Sequence, residues 1–165
     1  MPHLAYVGLG ANLGSAGSTP AQTLVAATEA LASLPQTCVD AVSHRYISDP
    51  VDAAGPPFFN QVVRLRTQLS APDLLDHLQA IERDFGRTRP YRNAPRTLDL
   101  DLLLLDDRII DTPSLVVPHP RLHQRLFVLM PLAELDPALV IPGLGKVTEH
   151  LDAVQATQTQ RCSLA

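Results

Sequence analysis

The sequence predicts an α+β fold, an antiparallel sheet with helices packed on it. Three observations point that way. Apolar residues alternate with period two in some segments and recur every three to four residues in others. Two helical segments carry start signals, Thr19-Pro20-Ala21-Gln22 and Ser70-Ala71-Pro72-Asp73. The segments follow one another as β-α-β-β-α-β with additions, the split βαβ order of a ferredoxin-like core. That order leads one to expect the helices on one face of the sheet.

The elements are read in turn. Residues 4–9 are a short apolar run, hence a buried strand, and the glycines of Gly8-Leu9-Gly10-Ala11-Asn12-Leu13-Gly14 read as the turn that ends it. Thr19 caps a helix in which Leu24, Ala27, Leu31 and Leu34 keep helical spacing up to Pro35. Residues 38–47 are rich in β-branched and aromatic side chains and read as one strand. Residues 48–57 hold three prolines and a glycine, a loop. Residues 58–69 read as a strand with Phe59, Gln61, Val63 and Leu65 on one face and Phe58, Asn60 and Val62 on the other.

Ser70 caps a second helix with Leu74, Leu75, Leu78, Ile81 and Phe85 as its stripe and Gly86 at its end. After an Arg-rich stretch, residues 98–105 form a strand with Leu98, Leu100, Leu102 and Leu104 on one face. Asp99 and Asp101 share the other face with Leu103 and Leu105. Residues 126–135 and 147–154 are the later helix candidates. The whole of 1–165 reads as a single domain, with 155–165 a frayed tail.

Composition narrows the function. The net charge is −4, a poor basis for a nucleic-acid coat. No apolar stretch is long enough to span a membrane, and the first residues lack a signal-peptide layout. Cys38 and Cys162 form neither a disulfide framework nor a zinc motif, so a cytoplasmic protein is expected. Of the thirteen basic residues twelve are Arg, and five of these fall between positions 83 and 96. Arg grips phosphate through paired hydrogen bonds.

The chemistry concentrates around Asp99 and Asp101. Two carboxylates on one face of a half-buried strand repel each other, and a divalent cation relieves that repulsion. Oxygen ligands without Cys or His beside them suit Mg²⁺, which binds one or two carboxylates together with substrate phosphates. Arg87, Arg89, Arg92 and Arg96 lie close before the pair in sequence and would neutralise phosphate from another side. The pattern Gly8–Gly14 fits neither a dinucleotide fingerprint nor a P-loop. Phe58 and Asn60, sharing a face, suit a flat heterocycle with donors and acceptors on its edge. His119, between prolines, and Arg125 are candidate phosphate or base contacts. On these residues alone a metal-dependent nucleotidyltransferase stays open. A non-catalytic RNA-binding module does not fit, since it lacks aromatic RNP segments and a basic sheet face.

The run Arg92-Asn93-Ala94-Pro95-Arg96-Thr97-Leu98-Asp99-Leu100-Asp101-Leu102-Leu103 resembles the signature of the 6-hydroxymethyl-7,8-dihydropterin pyrophosphokinases of folate biosynthesis. The stretch Tyr6 to Gly14, Phe58-Phe59-Asn60, Ile81-Glu82, Val117-Pro118-His119-Pro120 and Met130-Pro131-Leu132 follow in that family's order. The resemblance implies a ferredoxin-like α+β fold and a monomeric enzyme. It would transfer the β,γ-diphosphate of ATP to the hydroxymethyl group of 6-hydroxymethyl-7,8-dihydropterin, leaving AMP. It implies two Mg²⁺ ions held with ATP by Asp99 and Asp101. Arg87 and Arg96 match the catalytic-loop arginines. Gln79, Glu82, Arg89, Arg96, Leu102, His119 and Arg125 match positions around ATP. Phe58 and Phe127 match the aromatic pair about the pterin, Asn60 the amide on its edge, and Ser48 and Val51 the pocket lining. The sequence departs from the family pattern at Asn93, where Trp is frequent, at Pro120, where some members carry Tyr, and at Phe58, which replaces a frequent Tyr.

Overall fold

A computed structural model describes residues 2–12, 18–49, 56–86, 98–158 and 161–165. Strands β1 (His3–Ala11), β2 (Thr37–Val42), β3 (Tyr46–Ser48), β4 (Phe58–Thr67), β5 (Asp99–Leu105) and β10 (Cys162–Leu164) make one antiparallel sheet. Two small hairpins pair β6 (Ile110–Asp111) with β7 (Val116–Val117) and β8 (Val140–Ile141) with β9 (Gly145–Lys146). Among the described residues the helices are α1 (Pro20–Ala32), α2 (Ala71–Phe85), α3 (Leu126–Leu135) and α4 (Val147–Thr157), with a 3₁₀ turn at Leu122–Gln124.

The sheet runs β10-β3-β4-β1-β5, and β2 pairs with β4 beside β3. Each βαβ unit therefore returns to the sheet with one antiparallel strand in between, as the element order predicts. The caps form as expected. Thr19 Oγ accepts from the Gln22 N–H at 3.2 Å while Gln22 Oε1 accepts from the Thr19 N–H at 2.9 Å. Ser70 caps α2 and Gly86 ends it.

Four expectations are corrected. The helices occupy both faces of the sheet, not one. On the first face Leu24, Ala27 and Leu31 of α1 and Leu74, Leu78 and Ile81 of α2 cover Ala5, Val7, Leu9, Val63 and Leu65. On the second, Leu122, Val128, Leu129, Leu132 and Val147 pack with Tyr6, Val62, Leu103 and Leu104.

The expected strand over residues 38–47 is two strands. Between them Ser43 Oγ accepts from the Val62 N–H at 3.0 Å, a side chain taking a place in the ladder.

The faces of β5 also change partway. Val7 pairs with Leu102 but Tyr6 pairs with Leu104, so Leu103 is an extra, bulged residue. Leu103 and Leu104 both enter the second core, and Leu105 enters the first. Finally, the tail is not frayed where it is described. Helix α4 continues to Thr157, and β10 pairs with β3 through Cys162↔Ser48 and Leu164↔Tyr46.

Candidate active site

Register decides which side chains meet. In β5, Asp99 faces Gly10 and Asp101 faces Gly8 on β1. Gly10 in turn faces Asn60 on β4, and Asn60 faces Tyr46 on β3. Directly paired residues in antiparallel strands point to the same face. A row of Tyr46, Asn60, Gly10 and Asp99 thus crosses four strands, beside a row of Val62, Gly8 and Asp101. Both lie on the second face, where α3 covers only part of the sheet.

The two glycines keep the uncovered part open. A Cβ on Gly10 would lie 3.4 Å from Asn60 Oδ1, and one on Gly8 would lie 3.4 Å from Leu103 Cδ1. The sequence reading as a strand-ending turn is corrected here. β1 runs through both glycines to Ala11 because β4 and β5 pair with it on its two edges. Two glycines at i and i+2 were the available signal, since in a strand they share a face.

The resulting pocket has a volume of about 190 Å³. Ser48, Phe58, Asn60, Asp99, Asp101, Arg125 and Phe127 all line it, bringing together seven of the residues singled out from sequence. Gly8, Gly10 and Asp49 line it too and were missed. Asn60 is buried, and its Nδ2 donates to Ser48 Oγ at 2.7 Å. That bond fixes the amide and turns Oδ1 towards Gly10 as an acceptor. The Arg125 guanidinium stands over the Phe127 ring, 5.5 Å from its centroid.

His119 stands at the border of the pocket. Its N–H donates to the Leu103 carbonyl at 3.0 Å, which ties it to the bulge of β5. Its Nδ1 accepts from the Arg121 N–H at 3.2 Å, so the neutral ring carries its proton on Nε2. Nε2 lies 4.0 Å from Asp101 Oδ1, too far for a hydrogen bond. Burial pushes the imidazole below its usual pKa; Asp101 opposes that, and Arg125 and Arg121 add to it.

Other expected residues lie elsewhere. Glu82 accepts from the Leu100 N–H at 2.9 Å and so caps the open edge of β5. Gln79 is exposed on α2. Leu102 is buried in the first core, with its side chain directed away from the pocket face. Val51, Arg87, Arg89, Arg92, Asn93 and Arg96 lie outside the described residues.

Asp99 and Asp101 suit a hard cation. Both are partly exposed at the pocket, and residues two apart in a strand have Cα atoms roughly 6.5–7 Å apart. Among the described residues no set of three acidic, Cys or His side chains forms a metal cage. An oxygen-only pair that leaves most positions to other oxygens is the donor set of Mg²⁺ rather than of a structural zinc. Among the described residues no helix is long and apolar enough to cross a membrane.

Residues 6–137 match the family model of 7,8-dihydro-6-hydroxymethylpterin-pyrophosphokinase (HPPK). A 2-amino-4-hydroxy-6-hydroxymethyldihydropteridine pyrophosphokinase of Pseudomonas aeruginosa is 49% identical over 149 residues, 90% of each chain. The enzyme of the same name from Haemophilus influenzae is 41% identical over 146 residues, 88% of this chain and 89% of the relative. Among solved structures, wild-type HPPK-DHPS of Plasmodium falciparum shares the fold, with a TM-score of 0.70 at 13% identity. That match covers 93% of this chain but only 41% of the longer one, so this chain spans less than half of the HPPK-DHPS chain. With the matched region running from within β1 to just past the end of α3, most of the chain, the chain belongs to the 7,8-dihydro-6-hydroxymethylpterin-pyrophosphokinase family.

Proposed function

We propose that this chain carries out its family's reaction in this pocket, transferring diphosphate from ATP to the hydroxymethyl group of 6-hydroxymethyl-7,8-dihydropterin. The observation that carries the reading is the row Asn60–Gly10–Asp99. It puts the fixed Asn60 amide and the acidic pair on one face, separated by β1, in a pocket that Phe58 and Phe127 also line. A pterin ring between Phe58 and Phe127 would meet Asn60 Oδ1 with its edge and direct its hydroxymethyl arm towards Asp99 and Asp101.

The pterin hydroxyl oxygen bonds to the β-phosphorus as the bond from that phosphorus to the oxygen bridging to the α-phosphate breaks, releasing AMP, and the hydroxyl proton is given up to water. Asp99 and Asp101 would hold two Mg²⁺ ions, which when bound neutralise phosphate charge and align the hydroxyl with the β-phosphorus. Arg125, lying on the Phe127 ring, would meet the nucleotide where it adjoins the pterin. Neutral His119, its ring fixed through Nδ1, would offer its Nε2–H to a phosphate oxygen. Arg87, Arg89 and Arg96 would close the charge balance over the phosphates. Glu82 and buried Leu102 would act on the site through β5, and Gln79 would meet the nucleotide from α2. Ser48 and Val51 would complete the pterin lining.

Incubation with ATP, Mg²⁺ and the hydroxymethyl-dihydropterin, followed by chromatography, tests the reading. AMP and pterin diphosphate should appear in equal amounts. ADP as the product, or free pyrophosphate from a nucleotidyl transfer, would overturn it.

Gly10 gives a finer check. An alanine fits at ordinary contact distance and removes a glycine from a strand, so the melting temperature of Gly10→Ala should hold or rise. Its methyl group would sit against Asn60 Oδ1, so the pterin KM should rise several-fold, about the effect of crowding one buried acceptor. The KM for ATP should not move. A wild-type pterin KM in this variant would mean that the ring edge does not approach Asn60 across Gly10.

A further inference from the structure

The pocket has two walls from different parts of the chain, and a carboxylate outside the pocket joins them. One wall is the start of α3, with Phe127. The other is β3, with Ser48. Seven residues beyond Phe127, about 10 Å along α3, stands Glu134. Its Oε1 accepts from the Tyr46 hydroxyl at 2.7 Å. Its Oε2 accepts from the His44 backbone N–H at 2.9 Å and lies 2.9 Å from His44 Nδ1.

The need for this link follows from the strand break. β2 ends at Val42 and β3 begins at Tyr46, so the His44 N–H sits between ladders, and the Glu134 carboxylate receives it. β3 itself is only three residues long. Tyr46 is buried, directly across from Asn60, and Ser48 two residues on holds the Asn60 amide. Burial pushes the Glu134 carboxyl up, but hydrogen bonds from Tyr46 and His44 outweigh it and hold the group below its usual pKa. Burial, together with the carboxylate, pushes the Tyr46 hydroxyl up, so it stays protonated and donates.

We infer that Glu134 is a positioning residue for pterin recognition, setting through Tyr46 and His44 the span between α3 and β3 and hence the aim of the Asn60 amide. This rests on the reading of Asn60 and Phe127 as pterin contacts. Nothing in the link touches the acidic pair, so its effect falls on one substrate.

Steady-state kinetics on the full chain with Mg²⁺ tests it. Tyr46→Phe keeps the ring and its burial and removes only the hydroxyl. Tyr46→Phe and Glu134→Ala should each raise the pterin KM by about three- to tenfold, the cost of a modest misplacement. The kcat and the KM for ATP should stay within about twofold, since neither residue reaches the nucleotide side. The double variant should be no worse than the more severe single, because both break one link. Glu134→Gln keeps an acceptor for Tyr46 and should fall between wild type and Glu134→Ala. Phe127→Ala serves as the control for the pocket. If it raises the pterin KM while folded Tyr46→Phe does not, the positioning role is overturned and the pocket stands. If neither moves the pterin KM, both readings fall. An equal loss in kcat and both KM values would mean a general structural role and would also overturn the inference.

Discussion

Asp101→Asn should leave the protein folded and remove turnover. The substitution keeps the shape of the side chain and removes only its charge. Asp101 stands partly exposed on β5, opposite Gly8, with its side chain 46% accessible and no packing role. Its neighbour Asp99 is on the same face, and His119, held neutral, offers little compensation at 4.0 Å. Two carboxylates so placed repel, so losing one charge in metal-free protein should hold or raise the melting temperature. On the proposed reading, in which Asp101 would hold Mg²⁺, turnover should fall by about 10²-fold or more, because a ligand for the ions that would align hydroxyl and phosphate is removed. Calorimetry without Mg²⁺ and an AMP-release assay with it check the two halves. A variant that melts several degrees lower without metal, yet keeps substantial turnover, would make the carboxylate structural.

This prediction was open to sequence reasoning because β5 keeps period two through its first residues. Asp99 and Asp101 share a face whatever the partners are, and the caps at Thr19 and Ser70 are equally local. The reading fails where a partner strand decides. The bulge at Leu103 arises from how β5 pairs with β1 around Tyr6 and Val7, and nothing within residues 98–105 announces it. Gly8 and Gly10 have the composition of a turn, and only pairing on both edges makes them the floor of a pocket. The helices on the second face were hidden for another reason. Buried residues surround much of α3, which also contains Pro131, so no stripe reports which side meets the sheet. The Glu134–Tyr46 bond joins residues 88 positions apart and leaves no local trace.

The second large effect is expected at Phe127. The ring is half-buried on the first turn of α3, in the pocket it shares with Phe58. On the proposed reading its removal would take away one face of the aromatic pair about the pterin. Phe127→Ala should therefore weaken pterin binding by about 1–3 kcal/mol, the scale of one stack. The Arg125 guanidinium also loses the ring on which it rests, a contact worth about 0.5–1 kcal/mol at a partly exposed site. ATP affinity should accordingly fall only a few-fold. Phe127→Leu separates the two contributions of the ring. It keeps apolar volume over the pocket but has no π face, so it should recover the burial part of pterin affinity and not the stacking part. Isothermal titration of each variant with pterin and with ATP measures the four affinities. Wild-type pterin affinity in Phe127→Ala would remove Phe127 from the ring site and leave Arg125 without its link to pterin recognition.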